Sequence, residues 1–160
     1  MPSIRSSQGI TPCLWFDRNA DEAAKFYVSV FPNSRILSTS YYTEDMHMPK
    51  GTVLTVEFEL MGQRFTALNG GPHFKFNEAI SLMVHCDTQA EIDTYWAKLT
   101  ADGGAEVQCG WLKDKFGLAW QIVPREVADF VHGPRSAEVM QAVMSMVKLD
   151  LAKLRAAAGK

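Results

Sequence analysis

The chain has 160 residues, 47% hydrophobic and 21% charged, with a formal net charge of -2. That size holds a real core, and the balanced charge without a basic cluster excludes a nucleic-acid partner. No apolar run nears the roughly 20 residues of a spanning helix, so no membrane partner is expected.

Residues 1–9 lack the apolar middle of a signal peptide, and the three scattered cysteines, Cys13, Cys86 and Cys109, suit reduced thiols. A cytoplasmic protein is therefore expected. From Ile10 to Phe16 the chain alternates, with Ile10, Leu14 and Phe16 on one side and Thr11, Cys13 and Trp15 on the other, as in a strand. Asn19 suits the cap of a helix running to about Phe31, with Asp21 and Glu22 in its positive first turn. Ala23, Phe26, Tyr27 and Val30 form its apolar stripe. A strand from Arg35 to Tyr42 follows. The charged, Met-rich insert 43–51, with Glu44, Asp45, Met46, His47 and Met48, reads as a mobile loop or lid. Thr52 to Leu60 alternates strictly and pairs through Met61-Gly62 with Gln63 to Asn69, which Gly70-Gly71-Pro72 ends.

The order then repeats. Ile80 to Cys86 matches Ile10 to Phe16, and Asp87 stands where Asp17 does. A helix over 89–101 carries Tyr95-Trp96 near the place of Phe26-Tyr27, and Gly103-Gly104 closes it. Cys109 to Pro124 reads as strand, turn at Asp114-Lys115-Phe116-Gly117, and strand, with Leu118, Trp120 and Ile122 opposite Ala119, Gln121 and Val123. Each half leaves one sheet face bare, so the halves are expected to pair. The fold class is α+β: two βαβββ-type modules, 1–72 and 73–125, forming a cleft, with a helical extension over 126–160 in one compact domain. In that extension 127–131 is a short helix. Ser136 caps a long one, with Met140, Val143, Met144, Val147, Leu151 and Leu154 at helical spacing. Such a stripe is ordinary core contact or, alternatively, a contact with a second subunit.

Several stretches resemble one family: Ile10-Thr11-Pro12-Cys13-Leu14-Trp15-Phe16-Asp17, Phe26-Tyr27, Leu68-Asn69-Gly70-Gly71-Pro72, Phe74-Lys75-Phe76-Asn77-Glu78 and Cys109 to Gln121. They are similar to the vicinal oxygen chelate superfamily of glyoxalase I, extradiol dioxygenases and bleomycin-resistance proteins. Within it they resemble the PhnB-like branch labelled 3-demethylubiquinone-9 3-methyltransferase, as does the tail after Ser136. The resemblance implies a cleft between modules and a homodimer. It also implies that the metal-ligand positions of the superfamily's enzymes fall at Thr11, Thr66, Ser81 and Gln121. Those side chains are neutral and poor ligands, so no metal and no other cofactor is expected. A Rossmann-type site would need a Gly-rich turn between a strand and a helix, whereas Gly70-Gly71-Pro72 leads into an aromatic linker.

The leading expectation is a binder of a small, partly aromatic or apolar molecule, with Thr11, Cys13, Trp15, Thr66, Ser81, His85, Trp111 and Gln121 lining the site. The alternative is an enzyme: a metal-dependent lyase or dioxygenase of the glyoxalase type, a thiol- or His-based catalyst, or the methyltransferase of the family label. Catalytic residues are unassigned; an enzyme would recruit His85, His73, Cys109 or Glu57. Each has a plainer reading. His85 reads as a core or rim histidine, His73 and His47 as solvated loop residues, and Cys13 and Cys109 as inert thiols. Lys113 and Lys115 would have to activate Cys109. Glu57 and Glu59 read as the wet side of a half-exposed sheet. Phe74 to Glu78 is aromatic beyond the needs of a linker, which points to the cleft mouth or a subunit contact.

Overall fold

A computed structural model describes residues 5–46 and 48–160, which leaves His47 outside the described residues. The chain divides into two compact units, 1–75 and 76–160, each built on a four-stranded mixed sheet.

The first unit runs β1 (Cys13–Phe16), α1 (Ala20–Val30), β2 (Arg35–Tyr41), β3 (Val53–Leu60) and β4 (Gln63–Asn69). Its strands lie in the order β1-β4-β3-β2, with β1 parallel to β4 and the other neighbours antiparallel. Alternation decides the faces. Leu14, Phe16, Val56, Phe58, Phe65 and Ala67 are buried, and α1 packs on β3 and β4. Tyr27 of α1 stacks on Phe58 at 6.2 Å between ring centroids, and Phe58 stacks on Phe65 at 5.5 Å. Each such pair adds about 0.5–1.5 kcal/mol beyond its area burial. Met61 and Gly62 both take positive φ, 50° and 88°, in the two-residue turn that matches strand twist. Counting outward from that turn, Leu60 faces Gln63 and Glu57 faces Thr66.

Asn19 holds the cap position of α1 but makes no side-chain cap hydrogen bond. The acceptor comes from buried Asn69 at the end of β4: the Ala20 N–H donates to its Oδ1 at 2.9 Å. The Asn69 amide donates to the Val53 carbonyl at 3.0 Å, and the Tyr42 hydroxyl donates to the Asn69 carbonyl at 2.6 Å. In the loop after β2, the Lys50 N–H donates to the Asp45 carboxylate at 2.8 Å.

The second unit runs β5 (Leu82–Cys86), α2 (Gln89–Thr100), a 3-10 turn (Ala101–Gly103), β6 (Ala105–Glu106), β7 (Trp111–Lys113), β8 (Ala119–Pro124), α3 (Val127–Val131), α4 (Ser136–Ser145) and α5 (Leu151–Ala157). The order β5-β8-β7-β6 reproduces that of the first unit, again with only the first pair parallel. The sequence repeat is thus a repeat of topology. Val84, Cys86, Leu112, Trp120 and Ile122 are buried, as are Ile92, Trp96 and Leu99 of α2. Asp114 is almost fully buried in the turn between β7 and β8. Its Oδ1 accepts from the Phe116 and Leu118 N–H groups at 2.8 and 3.1 Å, and its Oδ2 accepts from the Trp120 indole at 2.8 Å.

Three expected elements are shorter than their patterns. β1 begins at Cys13 because Pro12 has no N–H to add to the ladder; its carbonyl still accepts from Thr66 N–H at 2.9 Å. Ile10 is therefore exposed, and Thr11 lies outside the strand. β5 begins at Leu82, leaving Ile80 exposed and Ser81 just ahead of the ladder. The long tail helix is two helices. The Cys109 and Gly110 N–H groups donate to the Met146 and Val147 carbonyls, both at 2.8 Å, which holds the chain extended there. The Gln89 side chain bonds the next turn, donating to Leu149 O at 3.1 Å and accepting from Leu151 N–H at 2.8 Å. Asp150 then caps α5 through Lys153 N–H at 3.0 Å. Of the expected stripe, Leu151 and Leu154 are buried, with Phe130, Val139 and Leu149, whereas Met140 and Met144 are exposed.

Asp114→Ala strips acceptors from three donors at a buried turn. We expect it to lower unfolding free energy by roughly 3 kcal/mol or more, read from urea denaturation.

Candidate functional site

In the first unit the face turned away from α1 carries the expected residues in rows. Cys13, Thr66 and Glu57 are successive partners across β1, β4 and β3. The Thr66 hydroxyl sits astride the Glu57 carboxylate, 2.9 and 2.8 Å from its two oxygens. Glu57 is partly exposed, as the half-exposed sheet face implies. One row on, Trp15 lies over Gly70, where an added Cβ would meet the indole ring at 2.4 Å. Its Nε1 donates to the Gly71 carbonyl at 2.9 Å, and Phe74 sets its ring edge-on to it at 4.9 Å. The glycine pair is thus the bed of an aromatic wall.

In the second unit the equivalent face carries Trp111, Gln121 and Met83 as successive partners across β7, β8 and β5. The Gln121 amide donates to Ser81 Oγ at 2.8 Å. That leaves the Gln121 carbonyl oxygen as acceptor and the Ser81 hydroxyl as donor for a ligand. Met83, exposed beside them, extends the apolar surface. Lys113, on the same strand face as Trp111, forms an ion pair with Glu78. The linker therefore ends on this face with Glu78, as Phe74 ends on Trp15 in the first unit.

The remaining candidates are less well placed. His85 and His73 are exposed. Cys109 sits at a φ of 64° before β7, and its proposed activators are engaged elsewhere: Lys113 with Glu78, and Lys115 over the Phe116 ring at 5.4 Å. Although Cys13 is exposed, partial desolvation by its neighbours and the Glu57 charge raise the pKa of its thiol. Burial, with Glu91 and Asp87, pushes that of Cys86 up to about 12. Both therefore stay protonated and weakly nucleophilic at neutral pH. An open groove of about 490 Å³, unsuspected from sequence, lies along Gln89, Asp93 and 145–150; the Asp93–Lys148 pair at 2.7 Å stands in it.

The donors at the four positions carried over from the metal enzymes do not suit a divalent ion. Thr11, Thr66, Ser81 and Gln121 are neutral; the Gln121 amide hydrogens face Ser81, and the Thr66 hydroxyl is committed to Glu57. Among the described residues no three His, Cys, Asp or Glu side chains gather where they could hold a metal.

A profile of the 3-demethylubiquinone-9 3-methyltransferase family matches residues 8–123. The PhnB protein from Bacillus cereus is 39% identical, covers 73% of this chain and 99% of its own, and superposes with a TM-score of 0.67. The chain belongs to this PhnB-like family. Two more distant structures share the fold. PA1353 from Pseudomonas aeruginosa is 20% identical, covers 72% of this chain and 96% of its own, and has a TM-score of 0.59. The fosfomycin resistance protein FosX from Listeria monocytogenes, solved with Mn(II) and sulfate, is 14% identical, covers 78% and 99%, and has a TM-score of 0.52. Among curated proteins, none is significantly similar. The family profile ends at residue 123, so it does not extend the resemblance to the tail after Ser136.

The thiol of Cys86 generates a prediction on stability. The unfolded thiol ionises near 9.0 and the folded one near 12, so the unfolded chain loses its proton first and stability falls as pH rises through that window. We expect the urea midpoint to fall from pH 9 upward in the native protein, with that part of the decline missing in Cys86→Ala.

Proposed function

We propose that this PhnB-like protein is a metal-independent binder of a small, partly aromatic or apolar molecule. The residues proposed for ligand contact are Trp15, Cys13 and Thr66 on the first unit and, on the second unit by itself, Ser81, Gln121 and Trp111, with Thr11 and His85 at the margins of their own faces. The observation that carries this reading is the Gln121–Ser81 hydrogen bond beneath an aromatic neighbour: a neutral donor–acceptor pair stands where a metal enzyme would need charged ligands. Apolar walls with a few placed polar groups are what pocket recognition requires.

Among the described residues, the glycine pair does not have the strand-to-helix setting of a Rossmann-type methyltransferase cofactor turn. Gly70 and Gly71 close β4 and support Trp15, and the chain runs on to β5 without a helix. Three free cysteines fit a reducing cytoplasm. Exposed Ile10, Phe74 and Ile80 favour a homodimer that covers them.

A thermal-shift screen of small aromatic compounds should yield ligands, since binding to the native state alone raises its stability. Gln121→Ala and Ser81→Ala should each weaken such a ligand by roughly 5- to 30-fold, the worth of about 1–2 kcal/mol of hydrogen bonding. Elemental analysis after incubation with Mn(II), Ni(II) and Zn(II) should find less than stoichiometric metal. A stoichiometric ion bound through Thr11, Thr66, Ser81 and Gln121 would end the proposal.

A further inference from the structure

Glu57 and Glu59 stand two residues apart on the same face of β3, yet their surroundings differ. Glu59 has a cation: Arg35 on the neighbouring strand reaches it at 3.6 Å. Glu57, on the row shared with Cys13 and Thr66, makes no ion pair among the described residues. Arg64 belongs to the same strand face as Thr66, but its guanidinium donates to the Arg5 carbonyl at 3.0 Å. The donor seen on Glu57 is the Thr66 hydroxyl, whose single proton is shared between the two carboxylate oxygens. A carboxylate has about four lone-pair sites, so most of its accepting capacity is left over. The carboxylate is partly exposed, so a ligand can reach it, and no counter-charge pairs with it among the described residues. The Thr66 contact also holds the carboxylate in one orientation, so a partner meets a fixed group. Trp15 and Phe74, on the same unit, add aromatic surface one row away.

We propose that Glu57 is a specificity-determining residue that selects ligands carrying a protonated amine. The inference rests on the ligand-binding reading above and narrows it: the molecule has an aromatic or apolar body and a cationic nitrogen. The nitrogen donates to the Glu57 oxygens in a charge-assisted bond, while the body lies along the Trp15 side of the face. Thr66 is then a positioning residue, and the neighbouring Glu59–Arg35 pair leaves a single uncompensated negative charge to read. The two carboxylates thus divide their roles, one closing the sheet and one open to a ligand.

Three matched probes test this in calorimetry and ligand-observed NMR: phenethylamine, phenethyl alcohol and hydrocinnamate, which share a phenyl body and differ in charge. The native protein should bind the amine at least about tenfold more tightly than the alcohol, with the carboxylate weakest. Glu57→Gln keeps the shape and an acceptor for Thr66 but removes the charge. It should abolish the preference for the amine, bringing amine and alcohol to similar affinity, with the melting temperature within error. Glu59→Gln should leave the preference intact. Equal binding of amine and alcohol by the native protein, or a preference that survives Glu57→Gln, overturns the role of Glu57 and spares the binding reading. A preference lost equally in Glu59→Gln overturns it too, by showing a diffuse field instead of one contact. If none of the three probes binds, the binding reading falls, and this inference falls with it.

Discussion

One buried polar side chain holds each unit of this protein to its shape. Asp114 is taken out of water by the turn it organises, and that is tolerable because its oxygens receive two backbone N–H groups and the Trp120 indole. The bonds join the tip of the turn to the closing strand, so the register of β7 against β8, and with it the position of Gln121 opposite Trp111, follows from one carboxylate. Asn69 has the corresponding place in the first unit, tying the start of α1 and the start of β3 to the end of β4. Both residues lie at the ends of the strands that carry the candidate site. The site residues themselves therefore need not supply the stability of the sheets.

The repeat is close in topology and divergent in chemistry. Cys13 and Met83 hold matching places against Thr66 and Gln121, and Glu57 in the first unit answers to Trp111 in the second. One face is therefore acidic and thiol-bearing, the other apolar with an amide and a hydroxyl. Duplicated halves that kept identical rows would present the same groups twice. Here the two faces carry different groups, so the chemistry of the rows diverged while the topology stayed the same.

The tail beyond residue 123 lies outside the family profile but is joined closely to the second unit. Residues 146 and 147 accept backbone hydrogen bonds from Cys109 and Gly110, Gln89 brackets the turn at Leu149–Leu151, and Lys148 pairs with Asp93. Gly110 is needed for this contact: its φ is 81°, and a Cβ there would meet the Leu149 side chain at 2.9 Å. The tail thus braces the segment that leads into β7 and Trp111.

Much of this was legible along the chain. Alternation at Val56, Phe58 and Leu60 or at Leu118, Trp120 and Ile122 reports burial directly, because successive strand residues face opposite ways. The repeat with its turn glycines carries the strand–helix–strand order, and the structure adds the register that sets Glu57 opposite Thr66. Periodicity failed where a distant partner decides the outcome. The apolar spacing from Met140 to Leu154 is that of one helix, yet backbone donors from 109–110 and the Gln89 amide hold residues 146–150 out of it. Local pattern specifies which side of an element is apolar. It cannot specify which polar group, many residues away, will cap Ala20, receive Trp120 or pair with Glu59, because those pairings exist only once the sheets have formed.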